Sequence, residues 1–314
     1  MIPCIRPPVR RSCSSQKPAG LDNLRITQMV TDNLQARTVL QRPATMTIQQ
    51  IAEDKKLIHY RVEGGVGIIE LDDPPANTYS YEMMQQLDAA ILNARMDNAV
   101  HVIVLRGTGE KFFCAGASIP MLTKADPTFK YYFCLHANET LSRLEQTPKL
   151  VIAALSGHAV GGGFEIAMAC DIRIAKKGGG KLGLPEVNLG VLPGTGGTQR
   201  LARLVGNAKA IEFMATGRTF DFDEALAHGL VSQVFPSENF WAEVMSYAQQ
   251  FCPPHKASCA VGLMKRAVIT GSEVGFAEGL GLERELQQLL FTSEDAKEGL
   301  LAYVEKRQPQ FKGR

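Results

Sequence analysis

The chain has 314 residues, with 34 Lys and Arg against 32 Asp and Glu, for a formal net charge of +2. So even a balance argues against nucleic acid or an anionic membrane as the main partner. Seven cysteines without a CxxC pair suggest neither a disulfide framework nor a zinc site and fit a reducing compartment, and no window approaches the ~18 uninterrupted apolar residues of a membrane-spanning helix.

Residues 1–45 are set apart by Arg6, Arg10, Arg11, Lys17, Arg25, Arg37 and Arg42 against only Asp22 and Asp32. Two readings stay open. The segment is an Arg- and Ser-rich organellar transit peptide, which would place the mature protein in the mitochondrial matrix. Or it is an extension ahead of a natural start at Met46, which would leave the protein cytoplasmic. Either way, residues 1–45 are expected to lie outside the fold.

From Leu57 onward, short β-rich runs alternate with helical ones, the pattern of an α/β architecture. Leu57–Val62 and Val66–Leu71 flank Glu63-Gly64-Gly65 and predict a hairpin. In Ser80–Asp97, Met84, Leu87, Ile91 and Ala94 recur at three- and four-residue steps and predict an amphipathic helix. A strand is expected at His101–Leu105, a helix over 128–146, and strands at Leu150–Leu155 and Asp171–Ala175. After about residue 197 the pattern turns helical almost throughout, with runs near 197–217, 238–252, 257–270, 273–291 and 294–306. The boundaries read as a core over 46–240 and a helical region over 241–314.

The chemistry begins at Gly161-Gly162-Gly163-Phe164-Glu165, which follows the strand Leu150–Leu155 and opens a helix. Bare glycine backbone at a helix start can offer N–H groups to a developing negative charge, and it can equally serve tight packing. Glu165 favours the first use, because its helical neighbours at 161, 162, 168 and 169 are Gly, Gly, Met and Ala. A carboxylate on such a face costs several kcal/mol unless paired, protonated or used. A salt bridge to an Arg or Lys is the bland alternative.

Glu186, in Leu184-Pro185-Glu186-Val187-Asn188-Leu189-Gly190, is a second carboxylate among apolar residues, although Pro then Glu also suits an ordinary helix first turn. Phe113-Cys114-Ala115-Gly116-Ala117-Ser118-Ile119 is a small-residue turn with exposed backbone. Pro193-Gly194-Thr195-Gly196-Gly197-Thr198-Gln199-Arg200 looks like a phosphate cradle but lacks the Lys-Ser/Thr ending of a P-loop, and is read as structural. No Ser, Cys or His forms a triad, which disfavours acyl-enzyme chemistry.

Together and in this order, these segments resemble the crotonase superfamily, specifically its enoyl-CoA hydratases, over residues 57 to 312. The resemblance implies an α/β crotonase-like spiral of strand-strand-helix repeats, with a helical C-terminal region used for trimerisation. It implies an acyl-CoA substrate, a homotrimer or dimer of trimers, and no metal or separate cofactor. Glu165 and Glu186 correspond to the acid/base pair, and the N–H groups of Ala117 and Gly162 to the oxyanion hole. Coenzyme contacts map onto Ala76, Ala115, Ala117, Ser118 and Ile119, with Tyr303 and Lys306 reaching a neighbouring subunit's coenzyme. Pro75 and Pro120 stand where many hydratases carry a basic residue. Met121, Leu122 and Tyr131-Tyr132-Phe133 are expected near the acyl pocket. The rival readings are an enoyl-CoA isomerase, a hydratase for a branched or aromatic acyl group, and a non-catalytic crotonase-like scaffold or RNA-binding protein.

Overall fold

A computed structural model describes residues 55–314. Both readings of residues 1–45 therefore fall outside the described residues. Ten strands are present among those described: β1 (Ile58–Glu63), β2 (Val66–Leu71), β3 (Val102–Gly107), β4 (Phe112–Cys114), β5 (Leu150–Leu155), β6 (His158–Val160), β7 (Ile172–Lys176), β8 (Lys181–Gly183), β9 (Thr219–Asp221) and β10 (Gln233–Phe235). They form a six-stranded sheet in the order β1-β2-β3-β5-β7-β10 and a four-stranded sheet in the order β4-β6-β8-β9.

The two orders encode the spiral. β3, β5 and β7 lie side by side and parallel in the first sheet, and the short strand after each, β4, β6 and β8, lies parallel in the second. Every turn thus lays one strand in each sheet before a helix or connecting segment carries the chain to the next. The first turn opens with the expected hairpin, β1 antiparallel to β2 with Glu63 opposite Val66.

The long strands are apolar along their whole length because both faces are covered. Ile69, Leu71, Ile103, Leu105, Val151, Ala153 and Leu155 face the main core. Their neighbours Val66, Ile68, Val102, Val104, Ile152 and Ala154 face outward onto Phe240, Val244 and Ala248 of the helix Phe240–Gln249. The four-residue spacing of those three puts them on one helix face.

The helix predicted over Ser80–Asp97 spans Tyr81–Met96, and the Ser80 side chain caps it by accepting from the Met83 N–H. The run predicted near 197–217 is two helices, Gly197–Val205 and Asn207–Thr216, broken at Gly206 where φ is +80°. That backbone region favours glycine and ends a helix cleanly. The C-terminal helices Ser258–Gly271, Phe276–Phe291 and Glu294–Glu305 leave Met264, Val268, Phe276, Leu289, Phe291, Leu300, Leu301 and Val304 exposed. No helix of the described residues is long and apolar enough to cross a membrane.

Candidate active site

The helix Gly162–Met168 starts directly after β6 and is buried throughout. Its N-cap, Gly161, has φ +57°, a conformation glycine adopts without strain. A Cβ on Gly163 would collide with the Cys114 carbonyl oxygen. The glycines therefore let the helix start press against the backbone of residues 114–117, serving both the packing and the exposure of backbone N–H groups.

Ala117 is fixed by the neighbouring loop. Tyr79 donates its N–H to the Gly116 carbonyl over 3.0 Å, and Ser118 donates to the Tyr79 carbonyl over 2.9 Å. A Cβ on Gly116 would lie 3.2 Å from the Gly162 nitrogen, so the two segments are adjacent. The N–H groups of Ala117 and Gly162 have no hydrogen-bond partner among the described residues. Two free donors side by side can receive one anionic oxygen.

Glu165 is 1% exposed. Its Oε1 accepts the N–H of Gly197 over 2.6 Å and that of Thr195 over 2.7 Å. No Arg or Lys forms a salt bridge with it among the described residues, so the bland reading of the carboxylate does not hold. Burial pushes its pKa above the ordinary carboxylate range, while the backbone N–H groups of Gly197 and Thr195, the Thr195 hydroxyl and the Arg200 charge pull it down. The segment Pro193–Arg200, read from sequence as structural, supplies these donors. Nothing in residue type could reveal this, since any residue but proline carries the same backbone N–H.

Glu186 opens a short 3₁₀ turn, Glu186–Leu189, that ends at Gly190 in the left-handed region. Its Oε1 lies 2.9 Å from where a Cβ on Gly161 would stand. Its Oε2 is buried with no hydrogen-bond partner among the described residues. Burial raises its pKa to about 7; the negative charge of Glu165 adds to the rise, and the Glu186 backbone N–H and the Lys130 charge oppose it. The two carboxyls thus lie close enough for one charge to act on the other, Glu165 held by two N–H donors and Glu186 against Gly161 with an orphaned oxygen. Differing surroundings of this kind divide acid from base roles.

The predicted coenzyme residues fall into two groups. Ala76 accepts the Ala115 N–H over 3.0 Å, and Ala117, Ser118 and Ile119 continue the same edge. Tyr303, 86% exposed, and Lys306 lie instead at the exposed end of the last helix. Asn77 escaped the sequence reading. It is buried at φ +50°, and its side chain donates to the carbonyls of Thr108 and Phe112 and accepts from the Asp73 N–H, pinning the loop ahead of Tyr79. Of the acyl-pocket candidates on the helix Pro127–Glu145, Phe133 turns inward while Tyr131 and Tyr132 are exposed.

Residues 61–314 match the enoyl-CoA hydratase/isomerase family. The chain belongs to this family. A relative named short-chain-enoyl-CoA hydratase, from Clostridium acetobutylicum, is 38% identical over 256 residues, covering 80% of this chain and 96% of the relative. One named probable enoyl-CoA hydratase, from Rhizobium meliloti, is 42% identical over 254 residues, covering 80% and 96%. The crystal structure of an enoyl-CoA hydratase from Geobacillus kaustophilus HTA426 superposes with a TM-score of 0.81 at 45% identity, covering 83% of this chain and 98% of that one. The family match takes in Ala117, Gly162, Glu165, Glu186 and the donors at Thr195 and Gly197.

Proposed function

We propose that the chain hydrates 2-trans-enoyl-CoA thioesters to 3-hydroxyacyl-CoA, with Glu165 and Glu186 as acid/base pair and the Ala117 and Gly162 N–H groups as oxyanion hole. The observation that carries this reading is the unequal pair of carboxyls beside two free, adjacent N–H donors. Glu165, kept towards the carboxylate by its donors, takes a proton from water as the water oxygen bonds to C3. The C2=C3 electron pair moves toward the thioester carbonyl, and the enolate oxygen receives the two N–H groups. Such a donor assists by about 3–4 kcal/mol. Glu186, protonated below about pH 7, delivers a proton to C2 and the carbonyl re-forms. The product gains one water and no redox change occurs, so the scheme needs no metal or separate cofactor.

The same reading gives the coenzyme to Ala76, Ala115, Ser118 and Ile119 along the edge next to Ala117, and to Tyr303 and Lys306 from a neighbouring copy. The exposed apolar side chains of the C-terminal helices support a contact face between copies, which the proposed homotrimer or dimer of trimers would cover.

Crotonyl-CoA incubated in heavy-oxygen water tests the reaction. The proposal expects 3-hydroxybutyryl-CoA carrying the heavy atom at C3. A shifted double bond without oxygen uptake would make the chain an isomerase, and recovery of unchanged thioester would contradict hydration of short enoyl groups.

A further inference from the structure

Tyr79 is a tyrosine where a phenylalanine would bury the same ring. It is 2% exposed, and the ring stacks on Phe133 with centroids 5.8 Å apart. Its hydroxyl lies 2.9 Å from Thr195 Oγ1, itself buried. A Cβ on Gly162 would collide with this hydroxyl, so it stands against the residue that carries one of the two free N–H donors. Through its backbone, Tyr79 brackets the other, Ala117.

A buried hydroxyl needs a partner, and the direction of donation matters. Burial, followed by the Glu165 charge, holds the Tyr79 phenol well above its ordinary pKa, so it stays neutral and can donate. Donation to Thr195 Oγ1 leaves the threonine hydrogen for an acceptor, and the Glu165 carboxylate, already bonded to the Thr195 N–H, is one. We propose that Tyr79 is a positioning residue: its hydroxyl, acting through Thr195, orients the Glu165 carboxylate against the Ala117–Gly162 donor pair. This inference rests on the reading of Glu165 as the group that activates water.

The other charged or titratable groups around this carboxyl are Glu186 from the 3₁₀ turn, Arg200 from the helix Gly197–Val205, Lys130 acting on Glu186, and the Cys114 and Cys134 thiols near Tyr79. All remain in place when only the relay hydroxyls are removed, so a pH shift isolates the relay.

The test compares Tyr79→Phe, Thr195→Val, Thr195→Ser and the Tyr79→Phe/Thr195→Val double variant. It reads kcat and KM with crotonyl-CoA across pH, together with the Glu165 titration by carbon-13 NMR on protein labelled at glutamate. Loss of one such hydrogen bond predicts about a five- to tenfold fall in kcat at nearly unchanged KM. The acidic limb of kcat and the Glu165 titration both move to higher pH, because the Thr195 hydroxyl that donates to the carboxylate is gone in Thr195→Val and no longer held in that orientation in Tyr79→Phe. The double variant is no worse than either single one, as expected for one shared path, and Thr195→Ser recovers most of the rate that Thr195→Val loses. A wild-type rate and an unmoved Glu165 titration in Tyr79→Phe would overturn the proposal, as would losses that simply add. Should Tyr79→Phe fail to fold, the Thr195→Val and Thr195→Ser pair decides the question on the same readouts. A titration that moves in a protein that hydrates nothing would keep the relay and sink the hydratase reading; intact hydration with an unmoved titration would sink the relay alone.

Discussion

Gly197 donates its N–H to Glu165 Oε1 over 2.6 Å from 32 residues further along the chain. The first turn of the helix Gly197–Val205 therefore holds the carboxylate that the helix Gly162–Met168 presents. A hydrogen bond from a fixed backbone donor orients a carboxylate more tightly than a flexible side chain could, and it favours the ionised form.

The pH dependence of turnover follows from the unequal pair. Glu186 has its pKa raised to about 7, so it is protonated and able to donate below that pH and loses its proton as the pH rises through it. Glu165 must be ionised, and its pKa is also raised, so turnover falls again on the acid side. A bell-shaped kcat profile is predicted, its basic limb near pH 7 and both limbs belonging to the coupled pair. Steady-state rates across pH check it; a rate that stays flat well above that pH would contradict the donor role of Glu186.

The glycine run is predicted to be unequal in what it tolerates. Gly163→Ala drives a Cβ into the Cys114 carbonyl oxygen, which is backbone and cannot swing aside, and should cost about 1–3 kcal/mol as overpacking. Gly271→Ala, at the end of the helix Ser258–Gly271, meets open space and should be neutral or stabilising by up to about 1 kcal/mol. Urea unfolding of both variants distinguishes them, and equal effects would contradict the packing described.

Lys265 carries the helix Ser258–Gly271 onto the core. Its Nζ lies 2.9 Å from Asp171 Oδ2 and donates to the Lys149 carbonyl over 3.1 Å, and Asp171 in turn accepts the N–H of Val151 at the start of β5. Lys265→Met leaves the largely buried Asp171 without its ion-pair partner, with only the Arg173 charge nearby, and should cost up to about 3–5 kcal/mol. Adding Asp171→Asn should recover part of that loss. Denaturant midpoints of the two variants test the pair; a Lys265→Met protein as stable as wild type would contradict it.

Much of the fold is legible in the residues alone, for physical reasons that can be named. The hairpin β1–β2, the capped helix Tyr81–Met96 and the apolar strands β3 and β5 each repeat a pattern over six or more residues. The strands β4, β6, β8 and β9 are three residues each, too short for any period to show, and pairing with neighbours distant in sequence creates them. At the site, Glu165 is legible because a carboxylate amid Gly, Met and Ala is costly without a use. The donors at Thr195 and Gly197 are not, since they act through backbone, and Tyr79 passes for an ordinary core aromatic.

The most direct test is the loss of enoyl-thioester ultraviolet absorbance when crotonyl-CoA meets wild type, Glu165→Gln and Glu186→Gln at equal folded concentration. Gln at 165 can still accept from Thr195 and Gly197, so that variant is expected to fold normally. The account predicts rapid loss with wild type and a fall in kcat of about 10²-fold or more in each variant. A wild type that leaves the absorbance unchanged, or variants that retain the wild-type rate, would contradict hydration by this pair of carboxyls.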